Sequence, residues 1–321
     1  MTVVIFAQDS DSPVDQVVLI LAELDVPVFR ADLSWFPQRL SIEARFGDGG
    51  WSGRLSTPAR SVDLDDIQSI WYRNPAAFRF PDGMSDVERA YAHREARLGL
   101  GGVLATLPVL WVNNPNRAAD AMYKPLQLTT AMACGLAVPP TLVTNRAEAL
   151  SEFAQGAPAG LVCKTFGPNS VTEDDVPKVA YTHRLDDHDL NDLRGISTTT
   201  HQIQHWVQKA REARVVAVGE RLFGIGIDAH SALSHVDWRA DFDALTYEQV
   251  EIPPHVEKGV CRYMDTLGLA YAAFDFVIER DTGRWLFLES NSSGQYAWLE
   301  AATGAPITEA LVNLLVTGRR V

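Results

Sequence analysis

Two apolar runs late in the chain, Ala-Phe-Asp-Phe-Val-Ile-Glu (273–279) and Trp-Leu-Phe-Leu-Glu-Ser-Asn (285–291), constrain the fold more than any other feature. They flank a short segment containing Gly283, which is the pattern of a β-hairpin. A turn centred on Thr282 sets Asp275 directly opposite Glu289, where cross-strand Cβ atoms lie about 4.5–5.5 Å apart and like charges repel. The two-residue period of a strand then puts Asn291 on the same face as Glu289. Acids set singly among Phe, Val, Trp and Leu are costly to bury without partners. Two carboxylates and a side-chain amide on one face form a hard-oxygen site suited to Mg²⁺, with positions left for water and phosphate. The alternative is a solvated sheet face, and a register change of one residue would break the pairing.

Upstream, strands and helices alternate. Residues 3–7, 26–30, 68–73 and 109–113 read as strands, residues 13–24 as a helix, and residues 46–53 as a hairpin. Ser85-x-x-Glu88 is a capping box opening a helix that runs towards Leu104. No GxGxxG follows a strand and no GxxxxGK[ST] occurs, so a Rossmann cofactor site and a P-loop are poorly supported. Asn114-Pro115 starts a helix that runs to Cys134, with Gly135 as its stop. The expected organisation is α/β (α+β) in three lobes, with boundaries at 1–115, 116–203 and 204–321. In the second lobe residues 138–144 read as a strand, 148–154 as a helix and 160–166 as a strand, before a polar loop over 167–177. The third holds a helix over 255–267 and a last helix entered at Pro306.

Only five lysines occur, at 124, 164, 178, 209 and 258. Lys164 lies in an apolar strand just before the polar loop, where it can act as a point charge on a phosphate; snorkelling to a sheet edge is the alternative. Lys124 by itself reads as a surface lysine. Gln204, His205, Trp206 and Val207 end a strand before a polar break, and a new strand holds Arg214. Such a hinge can read an adenine edge through its backbone, with Trp206 as a wall. Arg239, in Val-Asp-Trp-Arg, suits either a phosphate clamp or a loop salt bridge. His201 and His205 lack a third zinc ligand, and Ser292-Ser293-Gly294 lacks a GxSxG context. The net charge of -13 argues against nucleic acid or an anionic membrane surface as partner. Cys134, Cys163 and Cys261 are widely spaced and form no disulfide framework, and the N-terminal segment lacks the marks of a signal peptide. The expected location is cytoplasmic.

In this order Lys124, Lys164, the 204–207 hinge, Arg214, Arg239, Asp275, Glu289 and Asn291 resemble an ATP-grasp ligase over almost the whole chain. Within that fold the chain looks most like the ATP-grasp peptide maturases that make graspetides, the microviridin-like class. The segments that carry the likeness are Ile-Trp-Tyr-Arg-Asn-Pro (70–75), Trp-Val-Asn-Asn-Pro (111–115), Lys-Pro-Leu-Gln-Leu (124–128), Glu-Ala-Arg-Val-Val-Ala-Val-Gly (212–219), Val-Asp-Trp-Arg (236–239) and Phe-Leu-Glu-Ser-Asn-Ser-Ser-Gly-Gln-Tyr-Ala-Trp-Leu-Glu (287–300). The resemblance implies an N-terminal pre-ATP-grasp α/β domain, ATP and Mg²⁺ as cofactors, and a ribosomally made precursor peptide, leader plus core, as partner. It implies further that Lys124 and Lys164 touch ATP phosphates, that residues 204–207 bind adenine, and that Glu212 contacts the ribose. Asp275, Glu289 and Asn291 would hold Mg²⁺, and Arg214 and Arg239 would stabilise the transferring phosphoryl group. One departure is His205, where many related enzymes have Glu; backbone contacts survive that change but a carboxylate role does not. The implied reaction activates Asp or Glu side chains as acyl phosphates and joins them to Ser, Thr or Lys, with residues 167–177 as lid. The alternatives are a ligase adding free amino acids to a C-terminus, or a non-catalytic nucleotide-binding scaffold. Oligomeric state is left open, a homodimer being one option.

Overall fold

A computed structural model describes residues 1–167, 170–173 and 176–319. The first lobe is built on a parallel sheet in the order Val28–Ala31, Thr2–Ala7, Ile67–Arg73, Leu110–Val112. Its central strand Thr2–Ala7 is a run of Val, Ile and Phe buried from Val3 to Ala7, as a parallel strand covered on both faces requires. Helix Ser12–Glu23 starts where Asp11 accepts a hydrogen bond from Val14 N–H at 3.3 Å, and it buries Val14, Val17 and Leu21. Helix Asp86–Ala105 opens with the reciprocal Ser85–Glu88 capping box. The hairpin read from sequence is present as strands Ser41–Gly47 and Gly50–Ser56. The last helix, Ile307–Thr317, packs on this same lobe: Ser69 Oγ donates to Leu315 C=O at 2.8 Å. Val3, Ile5, Val17 and Trp71 share one core with Ile307, Leu311 and Leu315.

The second sheet is antiparallel, in the order His183–Leu185, Leu161–Lys164, His201–His205, Thr141–Thr144. The third is a five-stranded antiparallel sheet in the order Leu245–Gln249, Arg221–Ala229, Lys209–Val218, Tyr271–Glu279, Trp285–Asn291. Helix Pro254–Leu267 packs Val256, Val260, Tyr263 and Met264 into the core with Phe274, Phe276 and Phe287.

The terminal hairpin forms with Asp275 opposite Glu289 and Ala273 opposite Asn291, as the sequence predicts. It reaches that register by a different route. Near the turn Phe276 pairs with Phe287 and Ile278 with Trp285, one residue out of step, and a bulge at Leu288 restores the offset. The helix expected from Asn114 to Cys134 is two helices, Pro115–Ala121 and Lys124–Ala133. Pro125 has no N–H for the Ala121 carbonyl and its ring would clash with it, so the helix cannot run through. Within the expected lid, strands Ser170–Glu173 and Val176–Val179 pair as a hairpin, while residues 168, 169, 174 and 175 lie outside the described residues.

Candidate active site

Arg214, Asp275 and Glu289 form a row across three neighbouring strands. Arg214 donates from Nε and Nη2 to the two oxygens of Asp275, at 2.7 and 2.8 Å, and its guanidinium lies over Trp238 at 4.9 Å. Both partners are buried, so a parallel two-bond fork is the arrangement that keeps the charges tolerable. Glu289 is met by Lys124 Nζ at 2.7 Å and by Arg239 Nη1 at 3.5 Å. Burial pushes its carboxyl up, but Lys124, Lys164 and Arg239 outweigh that and hold it at about 2. Asn291 is exposed and accepts from Ser293 N–H through Oδ1 at 3.1 Å.

The helix break delivers Lys124. At the start of the second helix its ammonium reaches Glu289 and donates to Thr165 C=O at 2.7 Å. One turn on, Gln127 Nε2 donates to the Ala121 carbonyl that the break leaves over, at 2.7 Å. The same amide pairs with the backbone of Ser290, whose hydroxyl meets Tyr263 Oη at 2.6 Å. Asn113 plays the equivalent part lower down, taking Ala270 and Tyr271 N–H and donating to Tyr271 and Ser292 C=O. Two buried amides thus pin the strand end that carries Glu289, Ser290 and Asn291.

Lys164 donates to Gln204 Oε1 at 3.4 Å, and burial lowers its pKa against the pull of Glu289. Gln204 also donates to Thr141 Oγ1 at 2.9 Å. The His205 ring packs on Phe153 at 4.6 Å, so this side chain turns to an aromatic neighbour. Glu212 is buried in an ion pair with Lys209; burial raises its pKa and Lys209 opposes the rise. Lys209 also lies 5.3 Å from the Trp206 ring. Asp237, at the end of helix Ala232–Val236, grips Arg239 through Nε and Nη2, each at 2.9 Å.

Two cavities result. A small one of about 50 Å³ is lined by Lys164, Gln204, His205, Trp206, Val207, Glu212 and Asp275, among others. A larger cleft of about 580 Å³ opens beside it, lined by Tyr72, Lys124, Gln127, Gly167, Asn291 and Ser293, among others. Arg239 and Glu289 are the two residues common to both walls. Arg214 lines neither cavity; it reaches the site through Asp275. Reading the sequence missed Lys209, Asp237, Gln127 and Asn113. The scarcity of lysine could have singled out Lys209, since three of the five lysines prove to lie here.

Among the described residues no group of three or more His, Cys, Asp or Glu could hold a metal. Asp275 and Glu289, the carboxylates that the sequence assigns to Mg²⁺ together with Asn291, face across the strands, while Asp275 lines the small cavity and Asn291 the larger cleft. Both carboxylates are neutralised here by Arg214, Lys124 and Arg239.

A small hinge pocket clasped between two antiparallel sheets and lined by lysines and acids is the arrangement of an ATP-grasp fold. Within that fold the chain is similar to the RiPP-associated class. Residues 2–119 match the family model of the MvdD pre-ATP grasp domain. Macrocyclase MdnC from Microcystis aeruginosa MRC, solved with precursor peptide MdnA, superposes with a TM-score of 0.85 at 27% identity, covering 99% of this chain and 100% of that one. A Chryseobacterium gregarium RiPP-associated ATP-grasp ligase, in complex with ADP and a leader and core peptide, gives 0.88 at 25% identity over 100% and 99% of the two chains. Macrocyclase MdnB from M. aeruginosa MRC gives 0.79 at 26% identity over 99% of each. No curated protein matches the chain by sequence. No helix among the described residues is long and apolar enough to cross a membrane.

Proposed function

We propose that the chain is an ADP-forming ligase that activates Asp or Glu side chains of a ribosomally made precursor peptide and joins them to Ser, Thr or Lys side chains, forming intramolecular ester or amide macrocycles. The observation that carries this reading is the shared wall. One cavity has the hinge, the lysine and the acid suited to a nucleotide; the other is open enough for a peptide, and Arg239 and Glu289 stand between them. Phosphoryl transfer from the first cavity to a carboxylate in the second would take place at that wall. Structures similar to this chain contain ADP and precursor peptides, which supports both halves of the assignment.

In this reading the hinge at 204–207 holds adenine, Glu212 the ribose hydroxyls, and Lys124 and Lys164 the phosphates. Asp275, Glu289 and Asn291 would hold Mg²⁺, whose charge offsets that of the phosphates. A peptide carboxylate oxygen bonds to the γ-phosphorus as the bridging oxygen leaves with ADP. Arg239 meets the charge on the transferring group, with Arg214 holding Asp275 in place. A hydroxyl or amine of the same peptide then bonds to the acyl carbon, releasing phosphate and a proton. Its tether to the activated residue raises its effective concentration.

The test is mass spectrometry of a neighbouring precursor peptide incubated with the protein, ATP and Mg²⁺, alongside Glu289→Gln. Loss of one water per cross-link with ADP formed, in the wild type alone, is the expected result. A gain of one amino-acid mass would overturn macrocyclisation in favour of intermolecular ligation. An unchanged peptide without ADP would overturn the ligase assignment for it.

A further inference from the structure

Arg239 sits on a three-residue turn, Trp238–Ala240, with its side chain 31% exposed, an insecure perch for a charge that must meet a phosphoryl group. What steadies it is Asp237. That carboxylate is 4% exposed and accepts four N–H bonds: Arg239 N–H at 3.1 Å and Nε at 2.9 Å on Oδ1, Arg239 Nη2 at 2.9 Å and the backbone N–H of Thr182 at 2.9 Å on Oδ2. Thr182 lies between the hairpin strand Val176–Val179 and the strand His183–Leu185, and it lines the small cavity. One oxygen, Oδ2, therefore ties the root of the hairpin to one arm of the Arg239 fork.

We propose that Asp237 is a positioning residue that couples the segment after strand Val176–Val179 to Arg239, holding the guanidinium against Glu289 while Thr182 is seated on the same carboxylate. A shift of Thr182 turns the carboxylate about its own axis and breaks the parallel geometry of the fork. A displacement of Thr182 then registers directly at Arg239, on the wall that the two cavities share. The proposal rests on the reading of Arg239 as the residue that meets the transferring group.

Asp237→Asn and Thr182→Pro test it, the second removing the donor and leaving the carboxylate. Amide exchange at Thr182 is measured first without nucleotide, where about tenfold faster exchange is expected in Asp237→Asn. Affinities for Mg·ADP and for Mg·ADP with aluminium fluoride, a mimic of the transferring group, are then compared. Both variants are expected to lose about tenfold of the extra affinity that aluminium fluoride confers over Mg·ADP alone. A merely structural role would weaken both complexes alike. Thr182 exchange unchanged in Asp237→Asn, or an aluminium fluoride gain intact in either variant, would overturn the coupling. Wild-type affinity for Mg·ADP reports separately on the nucleotide assignment itself.

Discussion

The side-chain amide of Gln127 binds the backbone of Ser290 as a neighbouring strand would, accepting its N–H at 3.1 Å and donating to its carbonyl at 2.9 Å. A helix thereby extends the sheet edge by one residue, and the helix is the one that presents Lys124. Gln127→Met keeps the volume but leaves Ser290 N–H and C=O, and Ala121 C=O, without their partner. The expected loss is on the order of 2–3 kcal/mol in urea unfolding, with ATP turnover reduced because Lys124 is no longer indexed to Glu289.

Arg214 and Asp275 should behave as one buried unit. Asp275→Asn leaves a buried guanidinium without its counter-charge and is expected to cost about 3 kcal/mol or more. Adding Arg214→Met should restore part of that stability while activity stays absent. A double variant no more stable than the single one, in the same urea titration, would remove the ion pair as the cause.

Lys164 should separate stability from activity. Burial already lowers the pKa of its ammonium, so the charge is held at a cost. Lys164→Met is expected to leave the melting temperature within about 3 °C of wild type or to raise it. ADP formation is expected to fall by about 10²-fold, since a phosphate would lose its point charge.

The acid limb of stability should carry the mark of Glu289 and Asp237. Burial raises both carboxyls, but Lys124, Lys164 and Arg239 bring Glu289 from 4.5 to about 2. Asp237 falls from 3.8 to about 2, chiefly through Arg239. A carboxyl lowered on folding contributes fully above its unfolded value and loses that contribution as pH falls towards the folded one. Urea midpoints should therefore decline between about pH 4.5 and pH 2, and the decline should be shallower in Glu289→Gln.

Glu212, buried against Lys209, lines the small cavity, and in the proposed reading it binds the ribose hydroxyls. Wild type is expected to favour ATP over 2′,3′-dideoxy-ATP by about tenfold in KM, and Glu212→Gln to lose most of that preference.

The facing pair Asp275 and Glu289 was legible in sequence because apolar residues bracket each acid closely, which leaves few registers that bury the right faces. The bulge at Leu288 was not, since a bulge depends on how the strand bends over Phe287 and Phe274 rather than on any residue type. Lys124 was legible only through family resemblance. Its position depends on a break at Pro125 and on Gln127 satisfying a carbonyl six residues back. The link from Thr182 to Asp237 spans 55 positions and uses a backbone N–H, a donor that every residue but proline carries, so no pattern marks it.

Helix Ile307–Thr317 completes the first lobe from 246 positions away, as the bond from Ser69 to Leu315 shows. At about 5–20 residues per second of synthesis, the apolar face formed by Val3, Ile5 and Trp71 waits roughly 10 to 50 seconds for its cover. In that interval the nascent lobe is a sticky, half-roofed sheet, open to chaperones or to mispairing with another emerging chain. Yield on production of this protein should then respond to translation speed and chaperone supply more than to the folded stability of the finished molecule.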